Sequence, residues 1–527
     1  MADQRASLGE RASRRRFLEL CVGGLGGGVL LTACAQSVPS VSNVPTTPAA
    51  RAGGTLTISI PAGPLSLDPH VAATTATTNV YQAYDTLIDV DDSGNPLPAL
   101  CESFDVSADG KQYKLALRKG VYWHNGREVT SDDLKYNWQR VADPKVGAVQ
   151  PKLLPTWFPN VDTPDRYTFV FSGEQPHSDT FPILATLRIA NKESLEGPDA
   201  NSSAVGTGPF TLAEYQQGVS FRMTRNPNYW MPGKPYLDGL LIQIQDPQSA
   251  MVALESGNLD MVSQPALQDV VRLKTDTNYT AYYPTNLGQV INVTMSIATP
   301  PVDNKLVREA IACAIDRQRI VDRAFFGIGE PHDLPFLPGS PGYDAGRDTV
   351  YSFNLEKARA LITQSGVTPG ALELMWSNST VGAQTAGEII QADLQQLGFS
   401  VTLAPLEPPV WNQRNIAHTY QLSLAPSSYG NFDPVTTIAL GNTWQPTPPN
   451  STGANDAQYK ALVDAASAEV DPNKRKALFG QISDLLLDQV YVTTVATNLR
   501  FELARSFVKN VVYTSEGIRF NDTTLEK

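Results

Sequence analysis

The sequence predicts a mixed α/β protein built from more than one lobe, and three observations carry that prediction. Apolar residues alternating at period two interleave along the chain with apolar residues at helical spacing. The chain has 527 residues, too many for a single hydrophobic core, so two or three lobes are expected. No segment repeats at a period of about 20–50 residues, which sets solenoids and propellers aside.

Order is expected to begin at residues 55–60, where Leu56, Ile58 and Ile60 alternate as in a strand. Tyr113, Leu115 and Leu117 alternate again, before Gly120. Thr130-Ser-Asp-Asp133 reads as a capping box for a helix over Leu134–Val141. Segments 166–171, 221–224 and 240–245 read as strands. Asp303 is expected to cap a helix in which Leu306, Val307, Ala310, Ile311, Ala314 and Ile315 fall at helical spacing. Asn354 opens another, with Leu355, Ala358, Leu361 and Ile362 inward. Ile389, Ile390, Leu394 and Leu397 mark a third, stopped by Gly398. Phe399, Val401 and Leu403 then alternate as a strand.

The first residues carry address information. Ser13-Arg14-Arg15-Arg16-Phe17-Leu18 has the pattern of a twin-arginine export signal, with Glu19 where Lys is usual. An apolar run from Val22 to Leu31 follows, far short of the ~20 residues that a spanning helix needs. Leu31-Thr32-Ala33-Cys34 resembles the lipobox of bacterial lipoproteins. Residues 1–33 are therefore expected to be a signal peptide, with small Ala33 admitting cleavage before Cys34. The Cys34 thiol is then the group that can carry a thioether-linked lipid. Residues 34–52, rich in Ser, Pro, Thr and Ala, read as a flexible spacer.

Formal net charge is −12, and no basic run is present. Such a surface is a poor match for nucleic acid or for anionic lipid, so membrane contact is expected only through the anchor. Cys101 and Cys313 sit among apolar neighbours and read as small buried hydrophobes rather than a disulfide. The five histidines, at 70, 124, 177, 332 and 418, lack ligand spacing. No His-Glu-x-x-His, Gly-x-Ser-x-Gly or phosphate loop occurs, so neither a catalytic site, a metal nor a cofactor is expected.

Several motifs in order resemble one family along nearly the whole chain. Leu97-Pro-Ala-Leu-Cys-Glu-Ser-Phe-Asp-Val-Ser-Ala-Asp-Gly-Lys-Gln-Tyr113 continues through Leu117-Arg-Lys-Gly-Val-Tyr-Trp-His-Asn-Gly126 to Val129-Thr-Ser-Asp-Asp-Leu134. Gly206-Thr-Gly-Pro-Phe210 precedes Arg225-Asn-Pro-Asn-Tyr-Trp230 and Ala253-Leu-Glu-Ser-Gly-Asn-Leu-Asp260. Asp303-Asn-Lys-Leu-Val-Arg-Glu-Ala310 leads to Ala314-Ile-Asp-Arg317. Together these are similar to the peptide- and nickel-type solute-binding proteins of ABC importers, the bacterial extracellular family 5.

The resemblance implies a two-lobed periplasmic-binding-protein clamshell with an added domain and a ligand cleft between lobes. By the family's layout, residues 53–88, 176–285 and 497–527 form lobe I, 89–175 the added domain and 286–496 lobe II. It implies a monomeric receptor, with a membrane permease as its partner, that captures di- to oligopeptides. A non-peptide solute, such as an oligosaccharide or a metal chelate, is the second reading. An envelope enzyme or a chaperone-like receptor is a third. Gly206, Gly208 and Pro209 are expected to shape a turn, and Tyr229 and Trp230 to be core or rim aromatics.

The same resemblance places candidate ligand contacts. Trp411 falls where family members have a cleft tryptophan. Tyr429, Gly430 and Asn431 lie in the loop that in peptide-binding members supplies an aspartate for the ligand's α-ammonium. Here the aspartate position is Gly430, and Asp433 occupies a turn position. An unpaired buried ammonium is costly, so the missing acid bears on the ligand's chemistry. Asn292 lies in a strand expected at the cleft edge, whose backbone could pair with an extended ligand. Gly63 and Leu65 lie in a loop that resembles a cleft-lining turn. Phe432, Trp376 and Trp444 are further aromatics of the same region.

Overall fold

The structure is a computed structural model. It describes residues 53–64, 66–71, 81–91, 95–148, 150–284, 289–428, 434–514 and 517–527. Cys34, Leu65, Tyr429, Gly430, Asn431, Phe432 and Asp433 lie outside the described residues.

A 7-stranded sheet organises one lobe. Its order is Phe210–Gln216, Ser220–Arg225, Gly239–Ile244, Thr55–Ile60, Met261–Ser263, Glu502–Arg505 and Tyr279–Tyr282. Thr55–Ile60 runs parallel to both neighbours, pairing Leu56 with Leu240 and Ile58 with Met261. One face explains its pattern: Leu56, Ile58 and Ile60 are buried together with Phe210, Phe221, Leu240 and Ile242.

A 5-stranded sheet organises the second lobe, in the order Ser400–Leu406, Ala371–Ser377, Leu422–Ser428, Gln289–Met295 and Val492–Asn498. Helices cover it and complete the largest apolar core. The helix Lys305–Ala314 is capped by Asn304, whose side chain accepts from the Leu306 N–H at 2.9 Å. This corrects the expectation for Asp303, since only the next residue has its side chain at the second amide of the helix. The helix Leu355–Ser365 is capped by Asn354 as expected. The helix Ala383–Gln395 is followed by Gly398, whose φ of 92° turns the chain into the next strand.

The chain passes from the first sheet to the second between Tyr282 and Gln289 and returns between Asn498 and Glu502. These two passages join the two sheets. Glu502 opens the returning strand and is buried. Ser263 Oγ donates to it at 3.1 Å, and burial pushes its carboxyl up to about 8.

Residues 101–172 hold a 4-stranded antiparallel sheet, Cys101–Val106, Gln112–Leu117, Thr168–Ser172 and Asn160–Asp165. The helix Ser131–Ala142 covers it with Leu134, Trp138 and Val141. Tyr113 stacks on Phe171 with ring centroids 4.8 Å apart. Asp133 accepts from the Thr130 N–H at 2.9 Å, one arm of the expected capping box, and also takes both guanidinium nitrogens of Arg127.

Gly206 and Gly208 are needed for a reason other than turn shape. A Cβ on Gly206 would lie 2.0 Å from the Ala83 carbonyl oxygen, and one on Gly208 would lie 2.5 Å from Gln82 O. The glycines let two backbones touch, and Gly208 N–H donates to Ala83 O at 3.0 Å. Tyr229 and Trp230 both donate to half-buried Asp85, which fixes them as structural aromatics. Cys101 and Cys313 are free and buried.

Candidate functional site

A cavity of about 650 Å³ opens between the second lobe and residues 150–153 of the smaller domain. The size suits a small solute, since ligand sites run to about 300–1,000 Å³. The short helix Pro408–Ile416 forms one wall. Glu407 precedes two prolines that fix the first helical turn, and the helix then presents Trp411, Asn412, Asn415 and Ile416 to the cavity. The strand Leu422–Ser428 adds Pro426 and Ser427, and the helix Pro434–Leu440 adds Thr436 and Thr437. Trp444 and the loop Pro449, Asn450 and Ser451 close the far side.

The wall is held from behind. Trp411 is half-buried, and its Nε1 donates to Ser423 Oγ at 3.0 Å, which fixes the indole against the sheet. Asn450 Nδ2 donates to Ala454 O at 2.8 Å and to Gln445 O at 3.0 Å, while its Oδ1 accepts from Gly453 N–H. That loop is therefore preshaped rather than formed around a ligand.

Asn292 is placed differently from the expectation. Its strand, Gln289–Met295, is paired on both sides, Asn292 lying opposite Ala425 and Thr494. No strand edge is open there to an extended ligand, which corrects the pairing role given to its backbone. The Asn292 side chain is fully buried, donates to Ser427 Oγ at 2.8 Å and accepts from Thr494 Oγ1 at 3.0 Å. It positions Ser427, which does face the cavity.

Trp411 and Trp444 stand on the wall, whereas Trp376 is buried in the core beneath the helix Ala383–Gln395. Gly63 lies away from this cavity, against Ile244 of the large sheet: a Cβ there would come within 2.5 Å of Ile244 Cδ1. Asn412, Asn415, Thr436, Thr437 and Asn450 were not expected. They sit in short helices and loops, where no apolar period marks them.

Electrically the wall is sparse. Among the described lining residues, Lys152 is the one charged side chain. None of the five histidines is among the described lining residues. His70 is pushed down to about 4 by burial, with the Arg188 carbonyl at 2.8 Å from its Nε2. His332 Nδ1 meets Asp348 at 2.6 Å, and His418 meets the Asn450 carbonyl. Among the described residues, no group of three or more His, Cys, Asp or Glu could hold a metal ion.

An open cavity beside a frame of two sheets joined by two passages of chain fits a solute-binding receptor. The profile of the bacterial extracellular solute-binding proteins, family 5, matches residues 95–451, and the chain belongs to that family. Its members are transport receptors, not enzymes. Di/tripeptide-binding protein 1 of Pseudomonas aeruginosa is 27% identical over 455 residues, covering 78% of this chain and 82% of that relative. The periplasmic binding protein AgaA of A. tumefaciens R10, solved with agropinic acid, is similar with a TM-score of 0.77 and 25% identity. It is covered over 99% of its length and covers 90% of this chain. The oligopeptide-binding protein AppA of Bacillus subtilis, solved with a nonapeptide, has a TM-score of 0.76 at 19% identity, over 91% of this chain and 100% of that one. Among the described residues, no helix is long and apolar enough to cross a membrane.

Proposed function

We propose that the chain is a lipid-anchored receptor of an ABC importer, tethered through Cys34 outside the cytoplasm, that captures di- to oligopeptides and delivers them as a monomer to a membrane permease. The observation that carries this reading is the cavity of about 650 Å³ walled by Trp411, Trp444 and amide side chains, between two parts of a hinged frame. Aromatic faces and side-chain amides suit the alternating apolar and polar surface of a peptide. The peptide-binding relative supports the ligand class. The lobe boundaries of the family layout go with this proposal, residues 53–88, 176–285 and 497–527 moving against 286–496, with 89–175 riding on the first.

A second reading, a non-peptide solute such as an oligosaccharide or a metal chelate, is favoured by the absence of acidic side chains among the described lining residues. Mass spectrometry of the solute that co-purifies with the protein separates the two. A peptide series released intact supports the first reading, and a carbohydrate or chelate overturns it.

A further inference from the structure

A strained histidine ties two walls of the cavity together from outside it. The helix Pro408–Ile416, which carries Trp411, closes with two backbone bonds. His418 N–H donates to Asn415 O at 3.3 Å, and Thr419 N–H donates to Arg414 O at 3.1 Å. This ending puts the residue after the cap in the left-handed region, where Gly or sometimes Asn is usual. Here that residue is His418, at a φ of 53°. A side chain is strained there, and strain of this kind persists where the surroundings compensate it.

The compensation comes from the ring. Half-buried His418 reaches the loop on the far side of the cavity, where its Nε2 lies 2.6 Å from Asn450 O. A carbonyl only accepts, so Nε2 carries the proton. The ring also lies beside Gly453, where a Cβ would come within 3.6 Å of His418 Cγ and Cδ2. Tyr420 OH adds a second tie by donating to Ser451 O. The turn itself is anchored, since His418 O accepts from Thr299 Oγ1 at 3.2 Å and from Ser296 Oγ at 3.3 Å. The Asn450 side chain bonds only to residues 445–454, so it sets the shape of the loop and not its distance from the helix. Trp411, Asn415 and Ile416 line the cavity from the helix, and Asn450 and Ser451 line it from the loop, whereas His418 does not line it. We propose that His418 is a positioning residue for solute binding. It clamps the loop 449–453 to the end of the Trp411 helix and so sets the width of the cavity before a solute arrives, which spares the binding step that ordering. The inference rests on this cavity being the solute site of a peptide receptor.

The test uses the purified full-length protein. Wild type is equilibrated with a short-peptide digest of casein, and the peptide it retains most strongly, identified by mass spectrometry and resynthesised, is the probe for calorimetry. His418→Gly and His418→Asn suit the left-handed backbone, so both should fold, and both remove the reach to Asn450 O. Each is expected to bind the probe about tenfold more weakly, with the loss in the binding entropy, because the loop is then ordered only when the peptide binds. His418→Gln places an amide N–H the same number of bonds from Cα as Nε2. It is expected to recover most of the affinity although its backbone is as strained as that of wild type. Trp411→Ala reports on the cavity independently. If Trp411→Ala weakens the probe while His418→Gly and His418→Asn bind it as wild type does, whatever their melting temperatures, His418 is structural only: the inference is overturned and the solute site stands. Binding by His418→Gln as weak as that of His418→Gly also overturns it, since the donor is then not what acts. If wild type retains no peptide, or Trp411→Ala binds the probe unchanged, the reading of the cavity fails and this inference falls with it.

Discussion

Trp411→Ala should damage binding and stability by separable amounts. The indole is half-buried on the cavity wall, and its Nε1 donates to Ser423 Oγ, which is fully buried. Truncation removes the ring face from the ligand and strips the buried hydroxyl of its donor. A tryptophan central to a binding site costs about 2 kcal/mol or more when truncated, roughly 30-fold in affinity. The orphaned hydroxyl costs about 1–3 kcal/mol of folding free energy. Trp411→Phe separates the terms. It keeps an aromatic face, so affinity should fall by less than about fivefold, yet it removes the same donor, so most of the stability loss should remain. Calorimetry with the co-purified solute reads the first quantity, and urea denaturation of the ligand-free protein reads the second. Binding by Trp411→Ala within about threefold of wild type would refute the placement of the ligand against this helix.

Cys34→Ala should leave an uncleaved precursor or a soluble protein, read by membrane fractionation, if Cys34 is the sole lipid attachment. Glu502, with its carboxyl raised to about 8 from 4.5, stabilises the fold most below pH 4.5 and loses that contribution as pH rises toward 8. Glu502→Gln should therefore flatten the pH dependence of stability between about pH 5 and 8, the variant becoming the more stable form above pH 8 by at most about 5 kcal/mol. An unchanged pH profile in denaturant titrations would contradict that. Gly206→Ala should destabilise by about 1–3 kcal/mol, because its Cβ would lie 2.0 Å from Ala83 O and the backbone must move. A melting temperature equal to wild type would show that the two backbone segments are not held that closely.

Regular elements were legible wherever burial is periodic. Thr55–Ile60 has the bounds that its alternation marks, because one strand face packs on the core. The helix caps were legible to within one residue. Asp303 and Asn304 are both good caps by type, and only the path of the backbone decides which side chain reaches Leu306 N–H. Through-space demands left no local mark. Gly206 and Gly208 answer to residues 82–84, more than a hundred positions away, and so read as turn glycines. Trp376, Trp411 and Trp444 are each isolated aromatics on no periodic face, so only the fold separates the buried one from the two on the wall. Asn292 was legible as important but not in its role, because an interior strand and an edge strand share one alternation. Asn415 and Thr436 fell on no motif, as wall polarity is set by which loops meet.

Small-angle scattering of the purified protein, with and without its co-purified solute at saturation, tests the hinged-receptor account most directly. Ligand contacts to both sides of the cavity favour the closed state. The account predicts a smaller radius of gyration with solute, accompanied by stabilisation of about 2.7 kcal/mol at a hundredfold excess over the dissociation constant. Scattering curves that superimpose with and without saturating solute would contradict it.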